Sequence, residues 1–304
     1  MVQVQQWRVF PDGTAGGNPC PLVTDARDLT AGQMRAIAAR YGHESAFVTA
    51  VTGSAVTLRY FVPRHEMRMC VHATIAAVTA LASSGVLTGG GASVSTASGE
   101  HRVSWTGAGP AAVTVEQLPP RFGAPAPVHA ELAAALGLPP AAISPAAVIQ
   151  PVNVSRAKLI VPVRSAGAVH AAQPDYPALW RLCSALDTTG AYVFAGHPDG
   201  DPGHLVARQF PVDAGYPEDP ATGVAAAALA AYLASQHQHP RPASVRVSID
   251  QGDAMGQPSR LHAAALSGPD GVIQPSVTGQ AIRTGQDELD LSTLPAGLAE
   301  PGLR

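Results

Sequence analysis

Cys70 and His72 stand two residues apart at the head of an Ala-rich apolar run. Asp219 heads a second such run, with Glu218 before it and Pro220 after it. A thiol, an imidazole and a carboxylate can each take or give a proton, or hold an anion while a neighbour does so. A thiol just before a helix is favoured as thiolate, because the first-turn N–H groups carry about half a positive charge. The alternative for Cys70 is a buried structural cysteine. His72 suits a general acid or base, a helix cap or a satisfied interior histidine. Glu218-Asp219-Pro220 suits the first turn of a helix, where Asp219 is either reactive or an N-cap whose charge the helix dipole favours. Glu44 follows Gly42-His43 and precedes Ala46-Phe47-Val48. Turned inward it would be desolvated and become a base usable near neutral pH. Turned outward, as spacing alone favours, it is a solvated strand end.

The elements that position these groups repeat. Residues 59–81 read RYFVPRHEMRMCVHATIAAVTAL and residues 208–233 read RQFPVDAGYPEDPATGVAAAALAAYL. Each opens on Arg, has Phe two residues on and, eleven residues after the Arg, reaches Cys70 or Asp219; the offset is 149 residues. A Thr and an Ala-rich run follow in both. Each copy reads as strand, tight loop, helix, and self-similarity of this kind implies two similar halves. A site between them would hold Cys70 and Asp219 face to face. Two helix N-termini converging there would make a pocket for a small carboxylate or amino acid.

The rest of the chain supplies strands. Residues 2–10 alternate as a strand, and 11–21 read as a loop whose glycines fit no nucleotide-binding pattern. Residues 28–41 form a helix with Thr30 as N-cap, Gln33 three residues on and Gly42 at its end. Strands are expected from about residue 45, at 56–61 and at 112–117, and short ones within 85–105. A helix covers 71–84. The proline-dense segment 119–127 is the linker between an N-terminal half, 1–118, and a C-terminal half, 128–285. That second half holds helices at 129–137, 176–186 and about 221–236, and strands at 158–163, 191–194, 245–250, 259–265 and 271–277. The tail, 286–304, is expected to be loosely held. The two Ala-rich helices are apolar on most of their circumference and so belong at the centre of their halves. The reading is an α+β fold.

Composition narrows the function. Of 304 residues 46% are hydrophobic and 13% charged, the net charge is −3, and no basic block is present, which argues against nucleic acid. The longest apolar run, 224–233, is half of what a membrane span needs. Cys20, Cys70 and Cys183 show no pairing or zinc spacing, and Cys20 and Cys183 read as inert. No phosphate loop is present, and the remaining histidines show no metal pattern; His237 and His239 read as solvated. A cytoplasmic protein without metal or cofactor is expected.

At these residues the chain resembles a known family. Gly17-Asn18-Pro19, the stretch from His43-Glu44 to Phe47-Val48, and Phe61-x-Pro63-x-x-Glu66-x-x-x-Cys70-x-His72-Ala73-Thr74 carry the likeness. So do Arg208-x-Phe210, Glu218-Asp219-Pro220-Ala221-Thr222-Gly223, and Gln251-Gly252 with Gly256-x-Pro258-Ser259. Together they are similar to the PhzF family, the phenazine-biosynthesis isomerase-like proteins, from about residue 1 to 285. The resemblance implies a diaminopimelate-epimerase-like fold, two pseudo-symmetric halves each a curved sheet around a central helix. It places the family's catalytic Glu on Glu44, its His on His72 and its Asp on Asp219. Asn18, Cys70, Val71, Ala73, Pro220, Thr222, Gly223 and Val224 would then line the substrate, a small carboxylate or amino-acid-like molecule, in a chain compatible with a homodimer. The implied activity is a cofactor-independent isomerase moving a proton on a small unsaturated acid, in secondary-metabolite biosynthesis. The alternatives are an amino-acid epimerase using Cys70 and Asp219, and a small-acid-binding homologue without chemistry. Two positions depart from the family: Val71 stands where Gly is usual and Val224 where Ser is usual. A β-branched residue narrows the approach to a backbone N–H, and losing the Ser removes a polar contact of about 0.5–1.5 kcal/mol. A more apolar pocket and a substrate other than the usual phenazine precursor are expected.

Overall fold

The computed structural model describes residues 1–294 except Ala15, Ala108, Pro110, 237–243 and 269–270; His237 and His239 thus lie outside the described residues. Along the chain run β1 (Val2–Val9), β2 (Asn18–Val23), α1 (Ala31–Tyr41), β3 (Ser45–Thr52), β4 (Ala55–Phe61), β5 (Glu66–Met67) and α2 (Val71–Ser83). There follow β6 (Gly91–Thr96), β7 (Gly99–Trp105), β8 (Val113–Glu116), β9 (Arg121–Phe122), α3 (His129–Ala135), β10 (Gln150–Asn153) and β11 (Ala157–Pro162). Next come α4 (Ala166–Ala171), α5 (Tyr176–Ala185), β12 (Gly190–Gly196), β13 (His204–Pro211), α6 (Gly223–Gln236), β14 (Val245–Gln251), β15 (Ser259–Ser267), β16 (Ile273–Gly279) and β17 (Ala281–Leu289). Two compact units result. The first holds 1–116, 214–216 and 278–304, and the second 117–213 and 217–277.

In the first unit the strand order is β17-β1-β2-β3-β4-β6-β7-β8. Helix α2 is buried from Val71 to Ala82 and touches β17, β1, β2 and β3 as well as β8. A helix met by strands from both ends of one sheet is enclosed by that sheet. The small side chains of its Ala-rich sequence allow so close an approach. Helix α1 begins as expected: Thr30 accepts from the Gln33 N–H and the Gln33 side chain accepts from the Thr30 N–H, while Gly42 ends it at φ 71°.

In the second unit β9-β10-β11-β12-β13-β14-β15 lie in order, with parallel pairs β11–β12 and β13–β14. Helix α6 is buried from Gly223 to Tyr232 and packs on β10, β11, β14 and β15. A second apolar cluster, including Leu132, Leu136, Val169, Leu179 and Cys183, joins α3, α4 and α5 to the sheet.

Two local readings need correction. Residues 11–21 were expected to be loop throughout, yet Asn18 begins β2, which pairs with β1 from Asn18↔Val9 to Leu22↔Gln5. Pro19 and Pro21, two apart, turn their donor-less nitrogens to one edge, and β3 joins β2 only from Leu22 on. The tail after Gly285 is not loose at its start. β17 pairs with β1 along its whole length, and Leu289, Leu291 and Leu294 pack against the apolar cluster under α1. No described helix is long and apolar enough to cross a membrane.

Candidate functional site

In the first unit the site is built by a helix start, a strand start and a loop. Gly42 turns the chain at positive φ and delivers Glu44 just ahead of β3. Cys70 is the extended N-cap of α2 and His72 lies in its first turn. Asn18 opens β2 and is buried. The Cys70 thiol donates to Glu44 Oε2 at 3.0 Å and lies 3.2 Å from His72 Nδ1. His72 Nδ1 is 3.4 Å from Glu44 Oε2 and 3.5 Å from the Asn18 amide nitrogen. The other oxygen of Glu44, Oε1, accepts from the Tyr216 hydroxyl at 2.6 Å. Glu44 is thus turned inward, only 11% exposed, against what its spacing alone favoured.

Electrostatics sorts these groups. Burial, and then the Glu44 charge and the hydrogen bond to it, push the Cys70 thiol well above its ordinary range. This corrects the expectation of a favoured thiolate: desolvation and a neighbouring carboxylate outweigh the N-terminus of α2. Burial lowers His72, and the Glu44 charge opposes this only in part. The ring also bonds the Pro19 carbonyl. A carbonyl only accepts, so with the Asn18 amide donating toward Nδ1, the fitting tautomer carries its proton on Nε2. The cluster therefore holds a protonated thiol, a neutral imidazole and a carboxylate receiving two donated bonds. The ligand atoms of Glu44, Cys70 and His72 lie within 4.8 Å of one another, near enough to share an ion. A thiol that resists ionisation makes this set better suited to handling protons than to holding a metal.

In the second unit Asp219 is buried. Its N–H donates to the Gln209 carbonyl at 3.1 Å, and its Oδ2 accepts a short bond from the Thr222 hydroxyl. Gln251 fixes the loop: its amide donates to the Asp219 carbonyl at 2.7 Å, and its oxygen accepts from Tyr192 Oη at 3.0 Å and from the Thr222 N–H at 3.3 Å. Gly252 follows at φ 91°, where a Cβ would lie 2.3 Å from the Gln257 carbonyl oxygen and 2.7 Å from that of Pro220. Glycine is required there by both conformation and space. The Gln209 side-chain amide is wholly buried and has no hydrogen-bond partner among the described residues.

The sequence repeat has a physical content. Arg59 grips Glu66 with two bonds of 2.7 Å and lies 5.1 Å over the Phe61 ring. Arg208 grips Glu218 with bonds of 2.8 and 2.7 Å and lies 4.9 Å over Phe210. Each fork ties a strand to the loop that carries the reactive residue. In the first unit the β4–β5 pairing brings the carboxylate round; in the second the Gln209↔Asp219 bridge does so.

The residues picked from sequence fall into two groups. Asn18, Glu44, Cys70, Val71, His72 and Ala73 belong to the first unit, and Asp219, Pro220, Thr222, Gly223 and Val224 to the second. Val71 and Val224 are both buried on the first turns of their helices. Sequence reasoning missed Tyr216, Tyr192 and Gln209. For Tyr216 the signal was its place two residues before Glu218 in the second copy.

A family profile described as phenazine biosynthesis-like protein, PhzC-PhzF, matches residues 7–285. An uncharacterised isomerase of Deinococcus radiodurans is 33% identical over 269 residues, 86% of each chain. A trans-2,3-dihydro-3-hydroxyanthranilate isomerase of Pseudomonas aeruginosa is 34% identical over 154 residues, 49% of each. The crystal structure of the Bacillus anthracis phenazine biosynthesis protein of the PhzF family superposes with a TM-score of 0.84, covering 95% of this chain and 98% of that one at 23% identity. The fold is the expected α+β, diaminopimelate-epimerase-like one, and the chain belongs to the phenazine biosynthesis-like PhzC/PhzF family.

Proposed function

We propose that the protein is an isomerase in which Glu44 moves a proton between two carbons of a small unsaturated carboxylic or amino acid. The observation that supports this best is the setting of Glu44, an inward carboxylate receiving bonds from Tyr216 and Cys70 and lying beside a neutral His72. The carboxylate takes a proton from a carbon next to the conjugated system, and the electron pair left behind spreads over the double bonds and acid group. The protonated Glu44, whose proton exchanges in part with solvent, then delivers a proton to another carbon of that system. Nothing is gained or lost overall, so a carboxylate suffices and no cofactor need be invoked. His72 holds the substrate's polar groups as a neutral partner. Asp219, which the family likeness assigns as an acid group, is proposed to orient the substrate and to act with its Thr222 and Gln251 partners as one rigid loop. Val71 and Val224 favour a more apolar substrate than the one named for the Pseudomonas relative. A role in secondary metabolism is proposed on the family's name.

The raised thiol disfavours the epimerase reading, in which Cys70 would have to work as a base. The test is proton exchange in deuterium oxide, followed by NMR, with a panel of small unsaturated acids that includes the dihydro-hydroxyanthranilate. Deuterium entering a ring or chain carbon, abolished by Glu44→Gln and kept by Cys70→Ser, is the expected result. Exchange that survives Glu44→Gln but vanishes in Cys70→Ser overturns the assignment in favour of the epimerase. Binding of an acid with no exchange at all favours the non-catalytic homologue.

A further inference from the structure

Gln209 is the middle residue of the repeated Arg-x-Phe, and its counterpart in the first unit is Tyr60. Tyr60 works beneath a reactive residue. Its hydroxyl meets Thr74 Oγ1 at 2.7 Å, and Thr74 donates to the Cys70 carbonyl at 2.7 Å. In the second unit the matching carbonyl, that of Asp219, accepts from Gln251 instead. Gln209 is released from that task. It is nevertheless a wholly buried amide, and neither its nitrogen nor its oxygen has a partner among the described residues.

The sheet places this amide beside the site. On one side β12 sets Tyr192 directly opposite Gln209, and on the other the isolated bridge sets Asp219 opposite it. Directly opposed residues turn their side chains to one face of a sheet, with Cβ atoms about 5 Å apart. Tyr192, Gln209 and Asp219 thus form a row. It lies on the face away from the cluster of α3, α4 and α5, to which Val193 and Phe210 belong. Within the row Tyr192 already serves the Asp219 loop through Gln251. The Gln209 amide leans toward Gly190, where a Cβ would lie 2.5 Å from its Nε2. An amide buried without a partner destabilises the fold that holds it. A state in which it is bonded accounts for its presence. The acceptor on its own face is the Asp219 carboxylate. That group takes a bond from Thr222, and two carboxylate oxygens offer about four acceptor sites.

We propose that Gln209 is a positioning residue for Asp219: when a small acid occupies the site, its amide turns from Gly190 and donates an N–H to the Asp219 carboxylate. This rests on the reading of Asp219 as the group that orients the substrate. A bound acid brings a second negative charge toward Asp219, and like charges disfavour each other. A donated N–H offsets part of that repulsion and holds the carboxylate in one orientation. The bond is gained only in the loaded state. It therefore strengthens binding of the acid and adds nothing to the stability of the empty fold.

The experiment uses the full chain with isotope-labelled glutamine. The Gln209 Nε2 protons are followed by NMR while benzoate, a planar acid that cannot isomerise, or an acid of the panel above is added to saturation. One of the two protons should move downfield, and Gln209→Met identifies the signal by its loss. Gln209→Met keeps the length and removes the amide. It should raise the urea midpoint, yet weaken acid binding about 10- to 100-fold, the effect of losing a hydrogen bond to a charged group. In an Asp219→Asn background the same substitution should weaken binding far less, because the charge it serves is gone. Amide protons that stay in place at saturation overturn the proposal. So does a loss of binding as large in Asp219→Asn as in the native chain. A lowered urea midpoint with binding unchanged also overturns it, and assigns the amide to an internal water. An amide shift on binding without any deuterium exchange would sink the isomerase reading and leave the role of Gln209 standing.

Discussion

Tyr216 donates its phenolic hydrogen to Oε1 of Glu44 at 2.6 Å, across 172 residues of sequence. The bond fixes one oxygen of the proposed base and leaves the other to Cys70 and His72. A hydrogen bond to a charged group is worth about 1.5–3 kcal/mol, so Tyr216→Phe should lower kcat by roughly 10- to 100-fold. Glu44→Gln removes the basicity itself and should lower it by about 10²–10⁴. Losing a donor to the carboxylate should also move the acid limb of the pH–rate profile to higher pH. An unshifted profile with lowered kcat would mean that Tyr216 supports packing only.

The Cys70 thiol should be slow to react. With burial and Glu44 both opposing its ionisation, iodoacetamide at pH 8 should modify the native protein far more slowly than the unfolded chain. Cys20 and Cys183, also buried and pushed upward mainly by burial, should be equally protected. Glu44→Gln removes two of the causes at Cys70 and a lesser one at Cys20 but none at Cys183, so alkylation should quicken most at Cys70 and stay unchanged at Cys183, as read by peptide mass spectrometry. Rapid alkylation of native Cys70 would contradict this placement.

The two arginine forks should differ in what they contribute. Arg208 and Glu218 are 11% and 8% exposed, whereas Arg59 is 34% exposed. Arg208 also donates to the carbonyls of Val169, His170 and Ala172. Arg208→Met leaves a buried carboxylate and three carbonyls without their partner, and should cost about 3–5 kcal/mol in urea unfolding. Arg59→Met should cost about 1 kcal/mol, since Arg59 is itself a third exposed and water screens the pair. Equal losses would show that burial does not set the difference.

Acid should weaken the fold through His72 and His101. Both are buried, and desolvation holds both below the usual histidine range. The unfolded chain takes up these protons near pH 6.5, before the folded chain does. Stability therefore rises with pH and is lost as pH falls below about 6.5, at about 1.4 kcal/mol per pH unit for each histidine. Urea unfolding at pH 7.5 and 5.5 reads this directly. His101→Gln, which keeps polar groups beside Ser98 and the Glu116 carbonyl, should remove part of the slope. A flat dependence between those pH values would rule the linkage out.

Much of the fold was legible because its signals are local. The Thr30–Gln33 capping box, Gly42 and the two Ala-rich runs each state their structure within a dozen residues, and both buried helices lie where the sequence placed them. The repeated Arg-x-Phe pointed to the forks, since the chemistry that fixes each loop recurs with it. What stayed hidden depends on distant partners. β2 reads as a loop because proline density masks a strand whose prolines share one edge. The start of the tail reads as loose because β1, its partner, lies at the other end of the chain. Gln209 shows no pattern of its own, and the place of Tyr216 two residues before Glu218 says nothing of Glu44, its partner 172 residues away. The Cys70 error was of another kind. A helix N-terminus was weighed without the carboxylate that Gly42 brings to it.

The pairing of β1 with β17 has a consequence for how the molecule is made. A ribosome completes residues 117–277 before β17 emerges. Until then β1 has β2 as its partner on one edge and an open row of amide and carbonyl groups on the other. The second unit is finished first, and the half of the chain that was translated earliest is the last to close. Pairing across so long a stretch of sequence must overcome the entropy of closing the loop between its strands. A nascent chain released before residue 281 would present an unpaired strand edge, the kind of surface that chaperones hold and that joins to copies of itself.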